Sequence, residues 1–179
     1  MKNRMIRTLA VICFTSVLLV CMAVPVNAQK PDSSNEFESM RRTLTADDAK
    51  TYANTMFQLV NKEREKAGLA PLKRDSLLDE AAMIRAAEIK VVDYAGGKAH
   101  TRPDGTSYKD LLNDMGVDGK RCGENISRAR QTPQAALDSW TQSEGHRMNI
   151  LRENYGSIGI GIYQRSDGYL DWIQIFELR

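Results

Sequence analysis

The chain has 179 residues, 42% of them hydrophobic and 27% charged, with 25 Lys and Arg against 23 Asp and Glu. That balance excludes the strongly basic field on which non-specific nucleic-acid binding rests. The length allows one sizeable core without disulfides, and only three cysteines and two histidines are present, so where they stand carries information.

The N-terminus reads as an export signal. Lys2, Arg4 and Arg7 precede an almost wholly apolar run from Leu9 to Val24, and Val26-Asn27-Ala28 offers the small residues that a signal peptidase reads. This pattern predicts a secretory leader over 1–28, cut after Ala28. Retention as an anchor is the alternative, because the run approaches the ~20 residues needed to span a bilayer. Lipid attachment at Cys21 is a further alternative, which the bulk of Val20 disfavours. Cleavage leaves 22 Lys and Arg against 23 Asp and Glu, a net charge of about −1. It also removes Cys13 and Cys21, so Cys122 stands alone, either as a small buried hydrophobe or as a reactive thiol. Residues 29–44 then form a polar tether that opens on Pro31, Asp32, Ser33, Ser34 and Asn35.

A domain over 45–179 follows. Thr45, with Asp48 three residues on, caps a first helix. Tyr52, Met56, Leu59 and Val60 recur on it at helical spacing, and Gly68 and Pro71 end it. A second helix starts near Asp75 or Ser76, with Leu78, Ala81, Ala82, Arg85, Ile89 and Val92 as its inner stripe. Its alanines allow close packing on a neighbour, and Gly96 and Gly97 stop it before His100. A third, short helix spans about Thr106 to Met115, with Tyr108, Leu111, Leu112 and Met115 inward. Gly123-Glu124-Asn125-Ile126 enters a strand. Thr132-Pro133 begins a fourth helix that carries Ala136, Leu137 and Trp140. Gly145 is expected to break it before a last turn over His146 to Leu151. Ile158, Ile160 and Ile162 alternate with Gly159 and Gly161, giving a strand with one greasy face and one face open to a close backbone. Ser166-Asp167-Gly168 turns it into a return strand over Tyr169 to Leu178. The class is α+β, an α-β-α sandwich with helices flanking a small antiparallel sheet.

Four motifs recur in order: LVNKEREKAGLAPLKRDSLLDEAAMIRAAEI, then HTRPDG from His100, GENI around Glu124, and WTQSEGHRMNIL around His146 followed by YGSIGIGI. Together they resemble the CAP superfamily, the SCP domain of cysteine-rich secretory proteins, antigen 5 and pathogenesis-related 1, in its compact bacterial branch. The resemblance covers roughly Ala46 to Arg179. It implies the same sandwich fold and a central cleft lined by His100, Glu124 and His146. Many relatives carry a second glutamate three residues after the tryptophan that is Trp140 here, and this chain has Ser143 there. Ser143 is therefore kept as a ligand-binding candidate beside the other three, and Glu144 replaces the glutamate only if the backbone turns it inward.

Two imidazoles and a carboxylate suit a zinc ion with an open fourth position, which is what a metal-dependent hydrolase needs. The separations along the chain do not themselves bring the three together; the resemblance does. No GxSxG elbow is present. Cys122 lies two residues from Glu124, on one side of a strand, where a carboxylate opposes thiolate formation. The leading expectation is thus a secreted or cell-surface binding module, with zinc the one cofactor left open. Its cleft would take a small apolar, lipid-like or envelope-derived ligand. A protein-interaction module whose loops bind a surface protein is the second reading, and an envelope or peptide hydrolase using His100, Glu124 and His146 the third. The expectation includes no nucleic acid, membrane contact only through a retained or lipidated leader, and a monomer.

Overall fold

The computed structural model describes residues 43–91 and 97–179. The expected leader over 1–28 lies outside the described residues, as do Val92 and Gly96 and all of the tether except Thr43 and Leu44. Leu44 already packs against the core, and its amide donates to Gln164 Oε1 at 2.6 Å.

Helix α1 (Ala46–Lys66) opens on a reciprocal cap. Thr45 Oγ1 accepts from the Asp48 amide at 3.1 Å, and Asp48 Oδ2 accepts from the Thr45 amide at 3.2 Å. Such a cap contributes about 1 kcal/mol. Strand β1 (Lys73–Arg74) leads into α2 (Ser76–Glu88), whose N-cap Asp75 accepts from the amides of Leu77 and Leu78. A 3-10 turn over Ile89–Val91 follows. Then come α3 (Tyr108–Asp114), β2 (Cys122–Ser127), α4 (Pro133–Thr141), α5 (Glu144–Ile150), β3 (Tyr155–Gln164) and β4 (Leu170–Leu178).

The sheet runs β1-β3-β4-β2. The three long strands pair antiparallel, as expected. The two-residue β1 joins the edge in parallel to β3, an addition with no apolar pattern to announce it. Period-two alternation gives each sheet face its own core. Ile158, Ile160, Ile162, Trp172 and Phe176 meet α1, α4 and α5 through Met56, Val60, Leu137, Trp140 and Ile150. On the opposite face Ile126, Ile173 and Ile175 meet α2 and α3 through Leu78, Ala81, Ala82, Leu111 and Leu112. The result is the α-β-α sandwich. Both tryptophans are fully buried, as a structural role requires.

One boundary differs from the sequence reading. The break between α4 and α5 falls at Gln142 and Ser143, and Gly145 lies inside the first turn of α5. A Cβ at Gly145 would meet nothing within 4 Å and its φ is not positive. Nothing there forces a helix to stop.

Candidate functional site

The site begins with a cation placed on an apolar stripe. Arg85 points inward from α2 and is fully buried. Its Nε donates to Glu124 Oε1 at 2.8 Å, one Nη to Glu88 Oε2 at 2.8 Å, and the other to the Ala99 carbonyl at 2.9 Å. Arg102 grips Glu88 from the other side, its Nη2 at 2.7 Å from Oε1. Burial works against the charge on Arg85, but Glu124 and Glu88 outweigh it, and its pKa is raised. Burial likewise opposes the charge on Glu88, and the two guanidiniums overcome it and lower its pKa.

Glu124 carries this network to the surface. Strand alternation turns its side chain to the α2 face, where Oε2 lies 2.7 Å from His100 Nδ1. The carboxylate is fully buried and the imidazole is 53% exposed, so a saturated internal anion holds a surface ring. With Nδ1–H donating to Glu124, Nε2 is the ring nitrogen left for a ligand. His100 follows the segment after α2 and is further fixed because its carbonyl accepts from the Tyr108 amide at 3.3 Å.

A cavity of about 560 Å³ opens here. Its walls include His100, Tyr108, Lys109, Glu124, Arg152 and Tyr155. Gly123 is required at its floor: a Cβ there would lie 2.2 Å from Tyr155 Oη and 3.2 Å from Asn149 Oδ1. Cys122 also lines it. Burial pushes this thiol up to about 12, and its Sγ is directed at the Asp118 carbonyl. Two of the nearby hydroxyls are committed elsewhere. Tyr108 donates to the Cys122 carbonyl at 3.3 Å, and Ser107 Oγ bonds Asp110 at 2.7 Å. The cavity thus holds an oriented imidazole, and Cys122, Ser107 and Tyr108 beside it are each engaged by the protein.

His146 does not complete the expected trio. It belongs to α5, which packs on the other face of β2, where its carbonyl accepts from Asn125 Nδ2 at 3.0 Å. It is half-buried and is not among the residues lining the cavity. Burial, and then the field of His100, hold its pKa below the ordinary value, so the two rings sense one another. Its helix reaches the cavity one turn later through Asn149, which donates to Asn125 Oδ1 at 2.9 Å. Ser143 sits at the N-cap of α5 without a side-chain capping bond and likewise does not line the cavity. Glu144 is exposed.

The three residues read from the sequence as zinc ligands are not assembled as a three-ligand set, and His146 Nδ1 is buried with no hydrogen-bond partner among the described residues. Both oxygens of Glu124 are occupied, one of them by a guanidinium that repels a divalent cation. Among the described residues no group of three or more His, Cys, Asp or Glu is placed to hold a metal ion. Glu124 orients His100, and the geometry does not make it a ligand. The residues the sequence reading missed are Lys109, Arg152, Tyr108 and Tyr155, all unremarkable in local pattern. The signal for Arg85 was present, since a cation on an inward stripe requires a buried acceptor.

The depressed pKa of His146 has a measurable consequence. Below the ordinary histidine value of about 6.5 the unfolded chain takes a proton that the folded chain refuses, so stability falls as pH drops through that window. Urea midpoints between about pH 7.5 and 5 should fall in the native chain and fall less in His146→Asn. The lower limit keeps clear of Glu88, whose contribution is lost only below the carboxylate range. Equal slopes in both proteins would remove His146 as the cause.

The family model described as CAP, the cysteine-rich secretory protein family, matches residues 57–176. The uncharacterized protein YkwD of Bacillus subtilis is 32% identical over 137 residues, which are 76% of this chain and 49% of that protein. An extracellular protein containing an SCP domain from Bacillus anthracis superposes with a TM-score of 0.64 at 27% identity, over 77% of this chain and 45% of that one. An outer surface protein of Borrelia burgdorferi shares the fold, with a TM-score of 0.61 at 18% identity over 74% of this chain and 96% of that one. The chain spans about half the length of YkwD and of the Bacillus anthracis protein.

Proposed function

This chain belongs to the CAP family of cysteine-rich secretory proteins, and on that premise we propose that it is an extracellular binding module for a small polar fragment of the cell envelope. The observation that carries the reading is the Arg85–Glu124–His100 chain, which preorganises one imidazole beside a cavity large enough for a small ligand. The walls favour a polar ligand over a lipid. Hydroxyl, amide and cationic side chains stand at intervals around the cavity, beside the rings of Tyr108 and Tyr155. Export through the leader over 1–28 fits the extracellular description of the Bacillus anthracis relative. Among the described residues no helix is long and apolar enough to cross a membrane.

Hydrolysis is the weaker reading. The imidazole–carboxylate pair is one part of a general base, but Cys122, Ser107 and Tyr108 are not poised as nucleophiles. Protein binding has one observation of its own: Met148 is 63% exposed on α5. It lies beside Arg147 and Arg152 at a second pocket of about 530 Å³, and binding there would survive loss of both histidines.

Titration of the domain with a peptidoglycan disaccharide-peptide, followed by amide shifts, tests the proposal. Shifts should concentrate at Gly123, Glu124, Tyr108 and Asn149, and His100→Ala should weaken binding at least tenfold, about 1.4 kcal/mol. Fatty-acid micelles should leave those amides unmoved. Binding unchanged in His100→Ala would overturn the reading.

A further inference from the structure

We propose that the fragment held in the His100 cavity is an anion, bound through a carboxylate or a phosphate by Lys109 and Arg152. The inference rests on the binding reading above and adds the charge of the ligand to it.

The argument is a charge census of the walls. Four ionisable side chains of the acidic or strongly or weakly basic kind line the cavity: His100, Lys109, Glu124 and Arg152. Glu124 is the one carboxylate among them, and Arg85 neutralises it from behind at 2.8 Å. Its remaining oxygen is turned to His100. The negative charge of the lining is thus internal to the protein and does not offset the cations at the mouth.

Those cations are held without carboxylate partners. Arg152 lies over the Tyr155 ring, 5.1 Å from its centroid, and donates to Tyr155 Oη at 3.4 Å and Asn154 Oδ1 at 3.1 Å. Lys109 lies 6.0 Å from the centroid of the Tyr108 ring. Among the described residues neither forms an ion pair. Of the acids next to them in sequence, Asp110 is engaged by the amide and hydroxyl of Ser107, and the exposed Glu153 forms no ion pair with Arg152. Two aromatic rings therefore support two cations at the walls of one cavity, with an oriented imidazole beside them. Cations preset in this way make strong charge-assisted hydrogen bonds to an oxyanion and need little ordering to do so. Arg152 offers the planar fork that suits either oxyanion, and Lys109 a point charge.

The cations come from separate elements, Lys109 from α3 and Arg152 from the turn after α5. A ligand bridging them would span the free edge of β2 above Gly123. That explains why the floor must be glycine: with Tyr155 Oη only 2.2 Å from a hypothetical Cβ, any side chain there displaces the ring that supports Arg152.

The test uses calorimetry on the protein with three probes: a muramyl dipeptide with free carboxylates, its fully amidated form, and glycerol 3-phosphate. The variants are Lys109→Gln/Arg152→Gln, both at exposed positions, and His100→Ala. The carboxylate or the phosphate probe should bind, the amidated probe at least tenfold more weakly, and the double variant should lose the same factor. Which anionic probe binds more tightly separates a peptide or sugar acid from a phosphate. Equal binding of the free and amidated dipeptides, with no effect of the double variant, would overturn the anion inference and leave the binding reading intact. No binding of any probe, with His100→Ala indistinguishable from the native chain, would overturn both.

Discussion

Replacing Arg85 by methionine is expected to cost about 3–5 kcal/mol of folding stability, a large part of the roughly 5–15 kcal/mol that holds a domain together. The cost does not lie in the strength of the ion pair. Arg85 and Glu124 are both fully buried, with 2.8 Å between Nε and Oε1, and the attraction at that distance is largely offset by the desolvation of both ions. It lies in what the substitution leaves behind. Glu124 would keep a buried charge with no counterion, Glu88 would lose one of its two guanidiniums, and the Ala99 carbonyl would lose its donor. A second substitution separates these contributions. Glu124→Leu in the Arg85→Met background removes the stranded carboxylate and should restore a substantial part of the loss, because apolar replacement of a buried pair is often neutral. Urea denaturation of the four proteins of the cycle reads both effects. A single-variant cost below about 1 kcal/mol, or a double variant no more stable than Arg85→Met, would show that the stranded Glu124 carboxylate is not the source of the cost. The double variant should still lose ligand binding, since His100 would have nothing to orient it.

What could be read before folding was the local part. The Thr45–Asp48 cap, the Thr132-Pro133 start and the alternation of Ile158, Ile160 and Ile162 each depend on residues within a few positions of one another. The pairing of Arg85 with Glu124 spans 39 residues, and no pattern in the chain states it. Only the oddity of an arginine between Ala82 and Ile89 hints that a carboxylate waits inside. The division of the site was hidden for a related reason. Glu124 and Asn125 are neighbours in sequence, but the strand sends one to α2 and the other to α5. Grouping His146 with Glu124 required knowing which face α5 would choose. The misplaced helix break has a simpler cause. Glycine is a statistical breaker, yet in the first turn of α5 it meets no steric or conformational demand. Lys73–Arg74 forms a strand only because β3 lies beside it.

The second large effect follows from the way α2 lies on the sheet. Gly161→Ala should lower stability by about 3 kcal/mol and the melting temperature by roughly 10 °C. The Cβ of residue 161 would lie 2.1 Å from the carbonyl oxygen of Ala82 and 2.6 Å from the Met83 amide. Gly159 meets Leu78 in the same way, 2.1 Å from its carbonyl carbon. These are backbone atoms, so no rotamer change relieves the overlap and the helix itself must move. It is not free to do so. Asp79 Oδ1 accepts from the Ile160 amide at 2.8 Å, and Met83 Sδ accepts from the Ile162 amide at 3.3 Å, which fixes the helix along the otherwise open edge of β3. Ala81, Ala82 and Ala86 are fully buried beneath it. A lifted α2 would also draw Arg85 away from Glu124, so the His100 cavity should lose affinity although Gly161 does not line it. Gly145→Ala is the matched control, because it adds the same methyl group within a helix where nothing lies within 4 Å. It should be neutral or stabilising by up to about 1 kcal/mol. If Gly161→Ala melted within a degree or two of the native chain, the direct backbone contact between α2 and β3 could not be what sets the helix in place, and the position of Arg85 would need another cause.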